Sequence, residues 1–141
     1  YKRQDEICAK INAYKEKTHL NFALESLDNL AKNGRISPAV AKVAKMLKIR
    51  IIGRPDDGKL TPIGKARGAK KTISYLIKDM EEHGFSNGRV IIAHILNEEG
   101  ANNLKQTILN KHPEASVEIR NARGLCTYYA QKGGLMVGYE A

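Results

Sequence analysis

Apolar residues recur with two different spacings along this chain, and the two spacings predict a mixture of helices and strands. Apolar positions at helical spacing predict an opening helix over residues 7–14, whereas residues 19–24 alternate between apolar and polar and predict a strand. Residues 26–32 predict a short helix or turn. Asn33-Gly34 is suited to the left-handed conformation that ends such a helix.

The middle of the chain predicts a helix followed by a hairpin. Ser37-Pro38 is typical of a helix start, because the serine oxygen can cap free N–H groups and proline at the first helical position loses no hydrogen bond. An apolar stripe at helical spacing then continues to Leu47. Strands are predicted over residues 49–52 and 59–63, joined by Pro55-Asp56-Asp57-Gly58, which has the composition of a turn.

A strand, a helix and a second strand are predicted next. A helix over residues 73–80, which Gly84 ends, leads to the strand 90–93, whose residues are apolar on both alternating faces. Asn97 caps the following helix, which has two glutamates in its first turn. Residues 117–119 then alternate as another strand.

The tail predicts a short helix over residues 125–132 and a last strand over residues 135–139. Gly133-Gly134 lies between them, either as a tight turn or as a place where backbone approaches a ligand or neighbouring chain closely. These elements together predict an α+β domain. We expect a two-layer α/β sandwich in which helices pack on a mixed, mostly antiparallel sheet and one sheet face needs an additional cover.

Composition limits the possible chemistry. Cys8 and Cys126 are the only cysteines, which argues against a disulfide framework or a thiolate zinc site and favours a reducing cytoplasm. The four histidines show no metal-ligand spacing, so we expect no metal and no cofactor. No stretch is long and apolar enough to span a membrane. The chain begins at Tyr1 and not at methionine, so residues upstream could have been removed.

Positive charge is concentrated in one segment. Residues 32–71 contain twelve lysine and arginine residues against Asp56 and Asp57, so this segment alone carries a net charge of +10 in a chain whose formal charge is +9. Three interpretations stay open: a solvated lysine face, a docking surface for phosphate or an acidic protein, and non-specific binding of nucleic acid. The low aromatic content and the lack of a known nucleic-acid motif argue against the third.

Several short motifs, in this order and spacing, resemble the DegV family. They cover most of the chain from about residue 19 onward and comprise Gly34-Arg35-Ile36-Ser37, residues 47–52, Asp57-Gly58-Lys59-Leu60, Lys65-Ala66-Arg67-Gly68, residues 90–101 and residues 133–139. The resemblance implies a two-lobed bacterial protein of which residues 1–141 form the C-terminal lobe. It implies binding of a long-chain fatty acid whose carboxylate is presented to a separate fatty acid kinase.

Three residues match the working surface of that family. Arg35 and Arg67 correspond to its two arginines near the carboxylate and the kinase-facing surface, and Tyr129 corresponds to a histidine beside the head group. A tyrosine can still donate a hydrogen bond but does not titrate near neutral pH. The apolar stripes of residues 37–47 and 69–83 and the strand 90–95 are candidates to line the acyl tail.

The residues favour a carrier over an enzyme. The chain contains no evident nucleophile–base pair, metal-ligand spacing or phosphate-binding loop, so the chemistry on a bound acid would come from a partner. A basic module for nucleic acid or another phosphate-rich partner is the alternative, and it depends on the charged segment alone.

Overall fold

The computed structural model describes residues 1–141 as six helices and six strands. The helices are α1 (Lys2–Lys15), α2 (Asp28–Lys32), α3 (Pro38–Met46), α4 (Ala69–Glu82), α5 (Glu98–Lys111) and α6 (Gly124–Ala130). The strands are β1 (Thr18–Leu24), β2 (Arg50–Asp56), β3 (Lys59–Ala66), β4 (Arg89–His94), β5 (Ser116–Asn121) and β6 (Leu135–Glu140). None of the helices has both the length and the apolar character needed to cross a membrane.

All six strands form one sheet in the order β3-β2-β1-β6-β4-β5. Only β4 and β5 are parallel, and α5 crosses between them as a βαβ unit, while every other neighbouring pair is antiparallel. The final strand β6 lies between β1 and β4 and so joins the hairpin half of the sheet to the βαβ half. The predicted α+β class with a mixed, mostly antiparallel sheet is confirmed.

The main core lies between one face of the sheet and helices α4 and α5. Every second residue of the central strands enters it, and Ile52, Val90, Ile92 and Val137 have no solvent exposure. The apolar stripe of α4 and the stripe of α5 supply the other side of this layer. Burying large aliphatic side chains contributes about 1.5–3 kcal/mol each, so this layer is the main source of stability.

The opposite face of the sheet is only partly covered. The short helices α2, α3 and α6 pack at one end of it around Phe22 and Leu24, where they form a second and smaller core. Farther along the same face Leu20 remains 42% exposed, and Leu60 remains 36% exposed. This half of the sheet therefore presents apolar side chains that the rest of the chain does not bury.

Several local predictions are confirmed and one is wrong. The hairpin turns at Asp57-Gly58, whose φ angles of 45° and 73° are those of a tight two-residue turn, and its strands extend farther than predicted. Helix α3 begins at Pro38 as expected, but the Ser37 side chain makes no capping hydrogen bond. Gly84, with a φ angle of 92°, follows α4 as the predicted terminating glycine.

Helix α1 forms as predicted, but its apolar stripe is not buried. Ile7, Ile11 and Tyr14 are each about half exposed, and α1 has no buried residue. Two side-chain hydrogen bonds fasten it to the sheet: the Tyr14 hydroxyl donates to the carboxylate of Glu140, and the Thr18 hydroxyl of β1 donates to the Lys15 carbonyl at 3.0 Å. That bond to a carboxylate raises the pKa of Tyr14 above its ordinary value.

The cap of α5 yields a prediction for stability. Asn97 accepts a hydrogen bond from the Gly100 N–H at 3.1 Å and donates one to the Gly133 carbonyl at 2.9 Å. We expect Asn97→Ala to lower the free energy of unfolding by about 1–2 kcal/mol, because a cap and a loop contact are lost together. Urea denaturation followed by circular dichroism measures the change.

Asn102 provides the matched control for this substitution. Its exposed amide donates only to the Glu98 carbonyl within the same helix, at 3.0 Å. Asn102→Ala should therefore change the stability by less than about 0.5 kcal/mol. Equal effects of the two substitutions would contradict the importance of the cap.

Candidate functional site

An apolar hollow lies on the partly covered sheet face, between the strands β1 and β6, the hairpin tip and helix α6. Its volume is about 360 Å³, and ten of its thirteen lining residues are hydrophobic. The lining consists of Leu20, Phe22, Leu24, Leu30, Arg35, Pro55, Gly58, Leu60, Leu125, Cys126, Tyr129, Ala130 and Met136. We call this the apolar hollow.

The end of α2 positions Arg35 at this hollow. Gly34 adopts a left-handed conformation with a φ angle of 68°, and the Arg35 N–H then donates to the Leu30 carbonyl at 2.8 Å. This is the Schellman arrangement that ends helices at glycine. The Arg35 side chain is exposed and makes no hydrogen bond or ion pair within the chain, so its guanidinium is free to bind an anion.

Helix α6 carries Tyr129 to the same hollow. The ring is half-buried, packs against the smaller core and meets the ring of Tyr128 edge-on, with 5.1 Å between the centroids. Its hydroxyl makes no hydrogen bond within the chain. The structure thus brings two of the three residues selected from the sequence, Arg35 and Tyr129, to one hollow with their polar groups unpaired.

Amide side chains clamp α2 and α6 together and thereby hold these two residues in place. The Asn29 amide donates to the Tyr128 carbonyl at 2.7 Å, and the Asn33 amide donates to the Tyr128 hydroxyl at 3.0 Å. Gln131 accepts from the Asn29 N–H at 3.0 Å and from the Ser26 hydroxyl at 3.1 Å. Sequence reasoning missed this clamp, since the partners lie about a hundred residues apart and carry no local signal.

Arg67 lies elsewhere, in a groove of about 630 Å³ between α3 and the start of α4. Its guanidinium donates to the Leu47 carbonyl at 2.9 Å. The groove is also lined by Lys45, Lys48 and Arg50, so several cations of the basic segment 32–71 lie around it. Arg50 is paired with Glu25, so part of the positive charge is already neutralised.

The structure places the candidate residues for lining an acyl tail in several different environments. The stripe of α4 and the strand residues Val90 and Ile92 fill the closed main core and do not reach the apolar hollow. The stripe of α3 instead lines a shallow groove of its own, where Val40 and Val43 stay about half exposed. The hollow is lined mainly by outward-facing residues of β1 and β6 and by α6, because the short helices leave that face open.

A polar cluster lies beneath the opposite sheet face, and its side chains bond mainly to one another. Asp79 accepts from the Asn21 amide at 2.8 Å and pairs with Arg54 at 3.4 Å. Arg54 also contacts His83 Nε2, which must accept because a guanidinium only donates, and His83 Nδ1 then donates to the Asp79 carbonyl at 2.7 Å. Burial raises the pKa of the neighbouring Tyr139 to about 12.

Metal ligation finds no basis in this arrangement. The histidine, cysteine, aspartate and glutamate side chains nowhere form a group of three that could hold an ion. Both cysteines are free and exposed.

The fold and the site together define an α+β domain whose sheet is open on part of one face and carries an apolar hollow there. The family model described as "Uncharacterised protein, DegV family COG1307" matches residues 2–141. The chain therefore belongs to the DegV family.

The relatives support this assignment over nearly the whole chain. A DegV domain-containing protein of Streptococcus pyogenes is 41% identical over 137 residues, which is 96% of this chain and 49% of that protein. A DegV domain-containing protein of Streptococcus pneumoniae is 39% identical over the same length. The chain spans about half the length of the curated relatives it matches.

Two solved structures superpose closely on this fold. A DegV family protein from Eubacterium eligens, loaded with heptadecanoic acid, matches with a TM-score of 0.91 and 39% identity, over 97% of this chain and 50% of that one. The Fatty Acid Kinase (Fak) B3 protein of Streptococcus pneumoniae, loaded with linoleic acid, matches with the same TM-score and identity, over 96% of this chain and 49% of that one. None of these relatives favours the nucleic-acid alternative.

The contrast between the two arginines gives a test of their roles. We expect Arg35→Ala to leave the free energy of unfolding unchanged, because its side chain has no partner, whereas Arg67→Ala removes the bond to Leu47 and should cost up to about 1 kcal/mol. Thermal and urea denaturation compare the two variants. A larger loss for Arg35→Ala would assign that residue to the fold and not to a site.

Proposed function

We propose that this chain is the C-terminal lobe of a two-lobed DegV protein that binds a long-chain fatty acid and presents it to a separate fatty acid kinase. The observation that carries the proposal is the apolar hollow with Arg35 and Tyr129, both unpaired, in its lining. The fatty acids bound to the two similar DegV structures support it.

The hollow suits the acyl tail. Transfer of each methylene from water to an apolar surface contributes about 0.8 kcal/mol, so the tail supplies most of the affinity. The hollow is open on one side, and Leu125 at its rim is 70% exposed. A second lobe that covers this side would complete the burial, and we therefore expect the lobe alone to bind weakly.

Arg35 suits the acidic end. Its planar guanidinium matches a carboxylate in geometry and charge, and a charge-assisted hydrogen bond contributes about 1.5–3 kcal/mol. The Tyr129 hydroxyl can donate a second hydrogen bond without carrying charge at neutral pH. These two groups set the orientation of the fatty acid, with its tail toward Phe22 and Leu20.

The basic groove that contains Arg67 is our candidate for the kinase-facing surface. An acyl phosphate carries more negative charge than the acid, and an acidic partner surface is attracted by the same lysines. The phosphorylation itself belongs to the kinase in this proposal, so the chain is a carrier and not an enzyme. We place this exchange in the cytoplasm, in keeping with two exposed and unpaired cysteines.

The proposal predicts a co-purifying fatty acid. Native mass spectrometry of the two-lobed protein should show the mass of a long-chain acid, and Arg35→Ala should weaken binding of palmitate by about ten- to one-hundred-fold through loss of the charge-assisted bond. Calorimetric titration of the delipidated protein measures the second effect.

Lys78→Ala is the matched control. Lys78 lies on the outer side of α4, is 75% exposed and pairs only with Glu82, so its loss removes one positive charge far from the hollow. Its affinity for palmitate should equal that of the unmodified protein. A protein that is purified empty and takes up neither palmitate nor oleate would refute the proposal.

A further inference from the structure

Gly138 is the glycine that the fold itself does not require. Six of the twelve glycines have left-handed φ angles, and five more occupy places where an added Cβ would come within 3.0 Å of a neighbour. At Gly138 the backbone is not left-handed, and the nearest atom to an added Cβ is the His19 carbonyl oxygen at 3.8 Å. Glycine weakens a strand interior and often marks the close approach of a ligand, so another reason for this residue is needed.

The position of Gly138 in the sheet indicates that reason. Its neighbours Val137 and Tyr139 are buried in the main core, so position 138 lies on the opposite, partly covered face. In the sheet register it is paired with Leu20 of β1 on one side and with Ile91 of β4 on the other. Leu20 and Ile91 thus carry apolar side chains on either side of Gly138 in one row across the sheet, and the central position of that row has no side chain. We call this central position the gap.

This gap lies at the edge of a second hollow, next to the apolar hollow. Leu20 belongs to the apolar hollow, while Gly138 and Ile91 line a second hollow of about 170 Å³. Directly paired residues have Cβ atoms only about 5 Å apart, so the two hollows adjoin across the β1–β6 pair. The far end of the second hollow is polar, because Arg89 and the hydrogen-bonded pair of Tyr14 and Glu140 line it.

We propose that Gly138 sets the length of the acyl chain this protein accepts. The inference rests on the proposed function: the tail leaves the apolar hollow, passes over Gly138 and ends where the Tyr14–Glu140 pair replaces apolar surface with polar groups. From Leu24 to Thr18 the strand β1 rises roughly 20 Å, which suits an extended long-chain acid. A side chain at position 138 would block this path near its far end.

The series Gly138→Ala, Gly138→Val and Gly138→Leu tests the proposal in the two-lobed protein. Affinities for saturated acids of increasing length should be unchanged for short chains and should fall for long ones, with the cut-off moving to shorter chains as the side chain grows. Each methylene excluded from the path should cost about four-fold in affinity. Ser116→Val places the same branched side chain on the exposed edge strand β5 and should leave the length profile unchanged.

The outcomes separate this proposal from the proposed function. If the unmodified protein binds no fatty acid of any length, both fail; if it binds them and the series keeps the original length profile, only the role of Gly138 is overturned.

A photoreactive group at the terminal carbon of palmitate gives a second measurement that needs no substitution. It should label Tyr14, Thr18 or Arg89 in the unmodified protein. Labelling confined to residues of the main core or of α3 would overturn the proposed path.

Discussion

Both faces of this sheet carry apolar side chains, and each face needs cover from helices or from another molecule to keep these side chains out of water. The other features of the fold depend on this requirement. The long helices α4 and α5 cover one face and form the main core with it. The other face receives only three short helices, all at one end, so Leu20 and Leu60 remain partly exposed next to Leu125. An apolar surface left open in this way is unfavourable in water and marks a place for another molecule or another lobe. The incomplete cover of this sheet face is therefore both a feature of the fold and the basis for the proposed binding of a lipid.

The periodicity of the sequence predicted the type and order of the main elements, because each is specified by residues close in the chain. The alternation of β1, the stripe of α4 and the cap at Asn97 are local signals of this kind. The place of β6 between β1 and β4 was not predictable, since its pairs with β1 join residues more than a hundred positions apart, such as Leu20 and Gly138. Which face each stripe covers depends on that placement, and for this reason the periodicity alone could not show that the stripe of α4 fills the main core.

The candidate site was predictable only in part, for a related reason. Arg35 and Tyr129 were selected by resemblance, and both line the apolar hollow because Asn29 and Asn33 tie α2 to α6. No pattern in the sequence predicts such a clamp, since asparagines are common at helix ends and turns whether or not they join two helices. Arg67 follows β3, whose exit leads toward α4, and its bond to the Leu47 carbonyl holds it in a separate groove. The sequence motif thus selected Arg67 but did not predict on which surface this arginine lies.

Selection among fatty acids must depend on the tail, because every fatty acid has the same carboxylate. In the proposed function the guanidinium of Arg35 contributes a similar stabilisation to each of them and so cannot discriminate by length. Each additional methylene contributes about 0.8 kcal/mol as long as apolar surface receives it, and nothing beyond the point where polar groups begin. In the proposed path that point lies at the Tyr14–Glu140 pair, and Gly138 is the position whose lack of a side chain keeps the way to it open. On this proposal a single position without a side chain determines which acids are bound, while the charged end determines only how they are oriented.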